Sequence, residues 1–406
     1  MALSVLRLHY VVCSLLVITS IYAGELDKLL SSLKLETLQL KLNQNSNESK
    51  KLEYSWINPI IVNYGHTTTD QFGKTLTNRS LSVSVDQPIF KSGGIWYAIK
   101  YAKATKRVGE LGVELQKRAL IKQVISTLFN LKKIEYQIQK QKLLIENDRI
   151  DIERKKEQFL SGELDSSFLD QAILKKNQDM INLYTLQDTK AKLKSNFKNL
   201  SDLEPNSVNL PRFKLIKRDD YIKNNIHLAL TKEQIVQKDY FNTMTWARYM
   251  PSISLQASYV KPYEFGSVFV APSLNVLNSY HTYGFRISLP IEISSYHNIQ
   301  STKADYLKAK IELLDKKREA QNEYSSILER LRIVDNKLKL AIDDEKLYTS
   351  LVESTKEKVK IGEMTLYDLK TLENSKMIRQ IDQKIFDLDK QLILLDLYEK
   401  SYKDIK

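Results

Sequence analysis

The sequence predicts an α+β chain made of two tandem copies of one unit, each a pair of β-strands feeding a long helical hairpin. Three observations carry this reading. First, Val83–Gly94 and Ile287–Ser295 both end a strand-like run at a proline, Pro88 or Pro290, and open a long proline-free stretch. Second, both stretches end in a similar glycine turn, Ser161-Gly162-Glu163-Leu164 and Ile361-Gly362-Glu363-Met364. The turns lie about 200 residues apart, and a repeat at one long period decides architecture before any local motif does. Third, the stretches carry apolar residues at alternating three- and four-residue spacing, the seam of a coiled coil.

Composition bounds the chain further. Only 11 Gly and 8 Pro interrupt 406 residues, so long helices can persist. With 42% hydrophobic and 27% charged residues it is too apolar for a disordered chain and too polar for a helical membrane protein. The formal charge is +13, but cations alternate with anions, as in Glu153-Arg154-Lys155-Lys156-Glu157. That pattern reads as a solvated helix face, not a nucleic-acid surface.

Residues 1–23 read as a secretory signal peptide: Arg7, then the apolar run Val11–Ile21, then a cut after Ala23. The only cysteine, Cys13, falls inside it, so the mature chain has no disulfide or thiolate chemistry. A lipidated Cys13 fits poorly, because Val12 stands where a small residue is expected. No later stretch is apolar enough for a membrane helix, so any crossing must be made by strands closed into a barrel. His9, His66, His227, His281 and His297 are scattered, with none at metal-ligand spacing. No catalytic residue, metal site or cofactor is expected, and the chain does not read as an enzyme.

The elements follow in order. The first repeat, 24–210, opens with an amphipathic helix over 25–42 and a polar stretch, Asn43–Lys51. A strand pair spans 57–91 around a loop at Gln71–Asn78. Its second strand alternates Leu81, Val83 and Val85 with Ser80, Ser82 and Ser84, the period of a sheet with one apolar and one wet face. A helical hairpin over 92–200 turns at Gly162, its first arm roughly 100 Å long at 1.5 Å per residue. A connector over 201–216 carries Pro205 and Pro211.

The second repeat, 211–406, repeats the plan: a helix over 217–248, a strand pair over 250–293 with a loop near 264–281, and a hairpin over 295–404 turning at Gly362. Ile253, Leu255, Ala257 and Tyr259 alternate with Ser252, Ser254, Gln256 and Ser258. Ile327, Leu331, Val334, Leu338, Ala341, Tyr348 and Val352 mark one hairpin seam, broken by Glu345, and Ile378, Ile381, Ile385, Leu388, Leu392, Leu395 and Tyr402 the other, broken by Glu399. A glycine tolerates the left-handed conformation that ends a helix, which explains Gly162 and Gly362.

Four strands cannot close a pore, since the smallest common barrels use eight. Either they form a small sheet or several chains each contribute four. Aromatic residues gather at the strand ends, among them Tyr54, Trp56, Trp96, Tyr97, Trp246 and Tyr249, in the manner of an interfacial belt.

Taken together, the sequence resembles the outer membrane efflux proteins, the TolC-like export ducts of Gram-negative bacteria. The resemblance covers nearly all of the mature chain. It rests on the duplicated plan, Gln87-Pro88-Ile89-Phe90 with Gly93-Gly94, Leu289-Pro290-Ile291, Tyr249-Met250-Pro251-Ser252-Ile253 and the two glycine turns. It implies a homotrimer whose strands close a twelve-stranded β-barrel in the outer membrane, above an α-helical tunnel extending into the periplasm. It implies a passive duct for tripartite efflux or type I secretion. The partners would be outer-membrane lipid, a periplasmic adaptor (membrane fusion) protein and an inner-membrane transporter, with no nucleic acid.

The resemblance also assigns residues. Ser80, Ser82, Ser84, Ser252, Ser254 and Ser258 would face the barrel lumen. Asp368, six residues past Gly362, stands where a carboxylate ring constricts the tunnel, and Thr371 occupies the next ring position. Near the other turn Phe168 takes the matching place, with Asp165 and Asp170 beside it. Gly162 and Gly362 mark the turns where pump partners would dock. Val359 and Met364 stand where relatives carry polar lock residues, so a lock is not evident. The alternative reading is a structural coiled-coil tether of the periplasm or cell surface, which the serine-lined strands argue against.

Overall fold

The computed structural model describes residues 26–266 and 277–401. The signal peptide, Cys13, Tyr402 and the inner part of the 264–281 loop lie outside the described residues.

After a single 3-10 turn at Asp27–Leu29 comes the helix α1 (Ser32–Glu53), capped by the Ser31 hydroxyl, which accepts from the Lys34 amide. This helix runs through the polar stretch Asn43–Lys51 that the sequence leaves outside it. One narrow face packs on the following long helix, where Ser49 Oγ donates to the Ala102 carbonyl at 2.8 Å. Strands β1 (Ile61–Gln71) and β2 (Lys74–Phe90) form a hairpin. The loop expected over Gln71–Asn78 contracts to Phe72-Gly73. Both residues have positive φ, 54° and 74°, as a tight primed turn between twisted strands requires.

A second primed turn joins β2 to α2 (Gly94–Leu160), with Ser92 at φ 48° and Gly93 at φ 82°. The Ser92 hydroxyl donates to the Pro251 carbonyl at 2.7 Å, tying this turn to the start of the second strand pair. α2 has 67 residues, about 100 Å at 1.5 Å per residue. It turns back into α3 (Ser166–Lys198). The helix expected over 217–248 is divided into α4 (Arg218–Lys223) and α5 (Ile226–Arg248). Asn225 starts α5 afresh by accepting from the His227 and Leu228 amides. Strands β3 (Ser252–Phe265) and β4 (Tyr280–Ser288) follow, then α6 (Ser295–Lys360, 66 residues) and α7 (Leu366–Lys400).

The helices form a single layer. Nearer the strands the neighbours run α1, α2, α5, α6; nearer the turns they run α3, α2, α7, α6. α2 and α6 therefore span both levels, and their partners change midway. The largest buried cluster includes Phe129, Phe197, Tyr221, Ile327 and Leu397. Connector residues complete it: the Phe213 ring packs tilted against Phe129 at 6.3 Å and against Tyr398 at 4.9 Å between centroids, and the Ile216 carbonyl accepts from Tyr324 Oη at 2.8 Å. The predicted seams are buried at Ile327, Leu331, Val334, Ala341 and Val352 on α6, and at Ile378, Ile381, Ile385, Leu388 and Leu395 on α7.

The edges of this layer are not covered. Leu33 and Leu40 on α1, Leu174 and Ile181 on α3, and Ile311, Leu314, Leu340 and Leu347 on α6 are all exposed.

Candidate functional site

The four strands form one antiparallel sheet in the order β1-β2-β3-β4, so β1 and β4 are both edges without a partner among the described residues. Directly opposed residues of antiparallel strands share a face. The register sets Ser82 against Asn63, Ser84 against Ser258, Asp86 against Gln256, and Ser258 against Thr282. Ser254 opposes Pro88 and Arg286, and Ser252 opposes Ser288. All six serines singled out in the sequence, Ser80, Ser82, Ser84, Ser252, Ser254 and Ser258, thus lie on one face. On that face Asp86 Oδ2 accepts from Gln256 Nε2 at 2.8 Å and lies 3.6 Å from Arg286.

The other face carries Val62, Tyr64, Leu81, Val83, Val85, Leu255, Tyr259, Tyr283, Phe285 and Ile287. Tyr283, Phe285 and Ile287 are 80%, 71% and 65% exposed, an apolar surface that none of the described residues covers. The aromatic group at the strand ends divides by role. Tyr54, Trp96 and Trp246 are exposed, but Tyr249 is buried, with its hydroxyl accepting from Asn298 Nδ2. Tyr97 and Tyr101 pack between α2 and α5 on Tyr240 and Phe241.

The two hairpin tips are built alike. The Gly162 amide bonds to the Phe159 carbonyl and the Glu163 amide to Gln158; the Gly362 amide bonds to Val359 and Glu363 to Lys358. Each pattern is a Schellman closure, which needs a left-handed residue, here Gly162 at φ 78° and Gly362 at φ 80°. The turns leave Leu160 and Ile361 bare, 74% and 69% exposed.

The returning helices are capped differently. Asp165 caps α3, its carboxylate accepting from the Ser167 amide at 2.8 Å, and this bond holds its pKa below the usual carboxylate value. Thr365 caps α7 in a reciprocal box with Asp368: the Asp368 amide donates to Thr365 Oγ1, and Asp368 Oδ2 accepts from the Thr365 amide and hydroxyl. Those bonds, and then Arg154, lower the Asp368 pKa. Thr371 donates back to the Tyr367 carbonyl at 2.8 Å, and Asp170 is exposed on the first turns of α3.

Tip contacts absent from the sequence reading link α2 to α7. Arg154 lies 3.6 Å from Asp368, and the Tyr367 hydroxyl donates to Glu157 Oε1 at 3.2 Å. They end a ladder that climbs the seam between these helices. Asn374 donates to Asn147 at 2.8 Å, Lys140 to Asp382 at 2.6 Å and Lys133 to Asp389 at 2.6 Å. On α2 the rungs are Arg154, Asn147, Lys140 and Lys133, one per heptad, a spacing that was readable once the partner helix was known. Beside it Asp148 is buried between α2 and α3 and bonded to Lys175, with Oδ2 unpartnered; burial raises its pKa.

Among the described residues no helix is long and apolar enough to cross a membrane, and no cluster of His, Cys, Asp and Glu has the geometry to hold a metal.

No protein-family model and no curated protein matches the sequence. Solved structures match nearly the whole chain. The chain is similar to the CmeC outer membrane channel of Campylobacter jejuni at 16% identity and TM-score 0.71, over 94% of this chain and 86% of that one. It is similar to the outer membrane protein VceC of Vibrio cholerae at 13% identity and TM-score 0.72, over 93% and 95%. The open-state MtrE outer membrane channel of Neisseria gonorrhoeae matches at 13% identity and TM-score 0.65, over 93% and 89%. The fold is therefore that of the outer membrane channels, as the resemblance in the sequence implied.

Proposed function

We propose that three copies of this chain form an outer-membrane export duct in a Gram-negative bacterium. The observation that carries this reading is the four-stranded sheet, with two unpaired edges, one serine face and one bare apolar face. An unpaired edge in lipid leaves backbone groups without partners, and only closure removes the cost. Three sheets joined β4 to β1 give twelve strands, with serines toward the lumen and Tyr283, Phe285 and Ile287 toward lipid. The same operation brings α1 and α3 of one copy against α6 of the next and covers the exposed leucines and isoleucines of both edges.

In this assembly the paired hairpins form the periplasmic tunnel. The tips, with Gly162, Gly362 and the bare Leu160 and Ile361, are the docking points for a periplasmic adaptor and an inner-membrane transporter. The chain is a passive duct, without catalytic residues or cofactor. Asp368, Thr371, Asp165 and Asp170 are the constriction residues. Three Asp368 carboxylates near one axis favour cations, partly offset by Arg154. The Arg154–Asp368 and Tyr367–Glu157 links latch α2 to α7 while the tip is closed.

The test is planar-bilayer conductance of protein extracted from outer membranes, with its state on an unheated denaturing gel. Discrete cation-preferring channels from a heat-sensitive trimer are expected, with cation preference lowered by Asp368→Ala. A soluble extended dimer without conductance would replace the duct by the coiled-coil tether.

A further inference from the structure

Between the strand ends and the adjoining turns of α2 and α5 lies a cavity of about 420 Å³. That is within the range of small-ligand sites, about 300–1,000 Å³. Trp56, Ile95, Phe241, Met244 and Met250 line it. Lys91 and Arg248 also line it; both are exposed, and neither has an ion-pair partner among the described residues. The walls are fixed by close packing. A Cβ added at Gly94 would meet the Ala247 Cβ at 3.3 Å, and the Tyr101 ring packs tilted against Phe241 with centroids 5.4 Å apart.

The helical period says which way the cavity faces. At about 100° per residue, Phe241, Met244, Thr245 and Arg248 share one stripe of α5, and Trp246 stands nearly opposite. On α2, Gly94, Ile95 and Ala98 share a stripe, and Trp96 is again on the far side. Trp96 and Trp246 are exposed there, 61% and 46%, and do not line the cavity. Ser252, a member of the serine face, does line it. The cavity and the sheet's polar face are thus on one side of the layer and the two tryptophans on the other.

We infer that this cavity is a resting site for amphipathic organic anions crossing the lumen. The inference rests on the duct reading, which makes the serine side the inside. An apolar body lies against Phe241, Trp56 and the two methionines, whose unbranched side chains adapt to many shapes. A sulfonate or carboxylate lies within reach of Lys91 and Arg248, whose unpaired charges attract anions and repel cations of the same shape. A trimer carries three such sites in a ring just below the barrel.

The test is blockade of single channels formed by the full chain, with 8-anilinonaphthalene-1-sulfonate as probe and the uncharged N-phenyl-1-naphthylamine as control. The sulfonate gives resolved blockades and the uncharged amine does not. In the double variant Lys91→Glu, Arg248→Glu the blockade dwell time falls at least about tenfold while open-channel events persist. Met244→Trp, which fills the cavity without changing charge, shortens the dwell time as well. Equal dwell times in wild type and the double variant, or equal blockade by the two probes, overturn the inference. If the protein forms no channels, the duct reading fails separately. Sulfonate fluorescence on the same protein then decides: saturable enhancement lost in the double variant keeps the site, and enhancement unchanged by the variant removes it.

Discussion

Replacing Arg154 by alanine strips one cation from each hairpin tip, and the structure limits what that does. Arg154 lies 3.6 Å from Asp368, with side chains 48% and 30% exposed. Exposed pairs of this kind contribute about 0.2–1 kcal/mol. Arg154 also pairs with Asp151 at 2.8 Å on its own helix, so its charge is shared and the link to α7 belongs in the lower half, about 0.2–0.5 kcal/mol. A trimeric tip that opens in one step breaks three links, about 0.6–1.5 kcal/mol, which is roughly a 3- to 12-fold shift toward the open state. The assay is the open fraction of single channels in a planar bilayer at about 0.1 M salt. At 1 M salt the screening length falls from about 10 Å to about 3 Å, and the difference between variant and wild type should shrink with it. An open fraction unchanged within twofold, or a shift that survives 1 M salt, would refute the latch as an electrostatic link between α2 and α7.

The remaining predictions concern the same tips. Tyr367→Phe removes only the hydroxyl that meets Glu157 and should raise the open fraction with little dependence on salt; no change would exclude that bond from the latch. Gly362→Ala meets no steric obstacle, since nothing lies within 4 Å of the added carbon, but it places a side chain at φ 80°. The strain, about 1–2 kcal/mol, should appear as faster amide exchange at Glu363 with little change in the melting of the whole protein. The Asp368 pKa lies below its ordinary value of 3.8 because Thr365 and then Arg154 favour the carboxylate. A lowered pKa adds stability above 3.8 that is lost as pH falls through the folded-state value. Exchange protection at the start of α7 should therefore drop in acid, and Asp368→Asn should flatten that dependence.

Much of this architecture is readable in the chain because it follows from local periods. The serine alternation at 80–84 and 252–258 defines a sheet with two unlike faces wherever its strands pair. The seams at Ile327–Val352 and Ile378–Leu395 define helices with a narrow buried stripe, and Gly162 and Gly362 end helices for a backbone reason. Where the reading slipped, a contact with another segment outweighed the local signal. Asn43–Lys51 is helical because Ser49 and its neighbours lie on α2, and the 71–78 loop shortens because β1 pairs with β2 along its whole length, from Ile61 opposite Ser84 to Gln71 opposite Lys74.

The candidate site divides the same way. The period of two places Ser80, Ser82 and Ser84 together on their strand and Ser252, Ser254 and Ser258 together on theirs; that both sets share one face of the sheet depends on the β2–β3 register. The links at the tip could not be placed from sequence, because Arg154 and Glu157 meet Asp368 and Tyr367 across more than 200 residues, in a register set only by packing of α2 on α7. The cavity beside Lys91 and Arg248 belongs to the same class, since it exists only where two helices and a linker converge. The sequence by itself determined the repeated strand–hairpin plan, because each repeat states its own periods and turns. The tertiary structure alone decided which charges meet, because an ion pair depends on distance in space and carries no period along the chain.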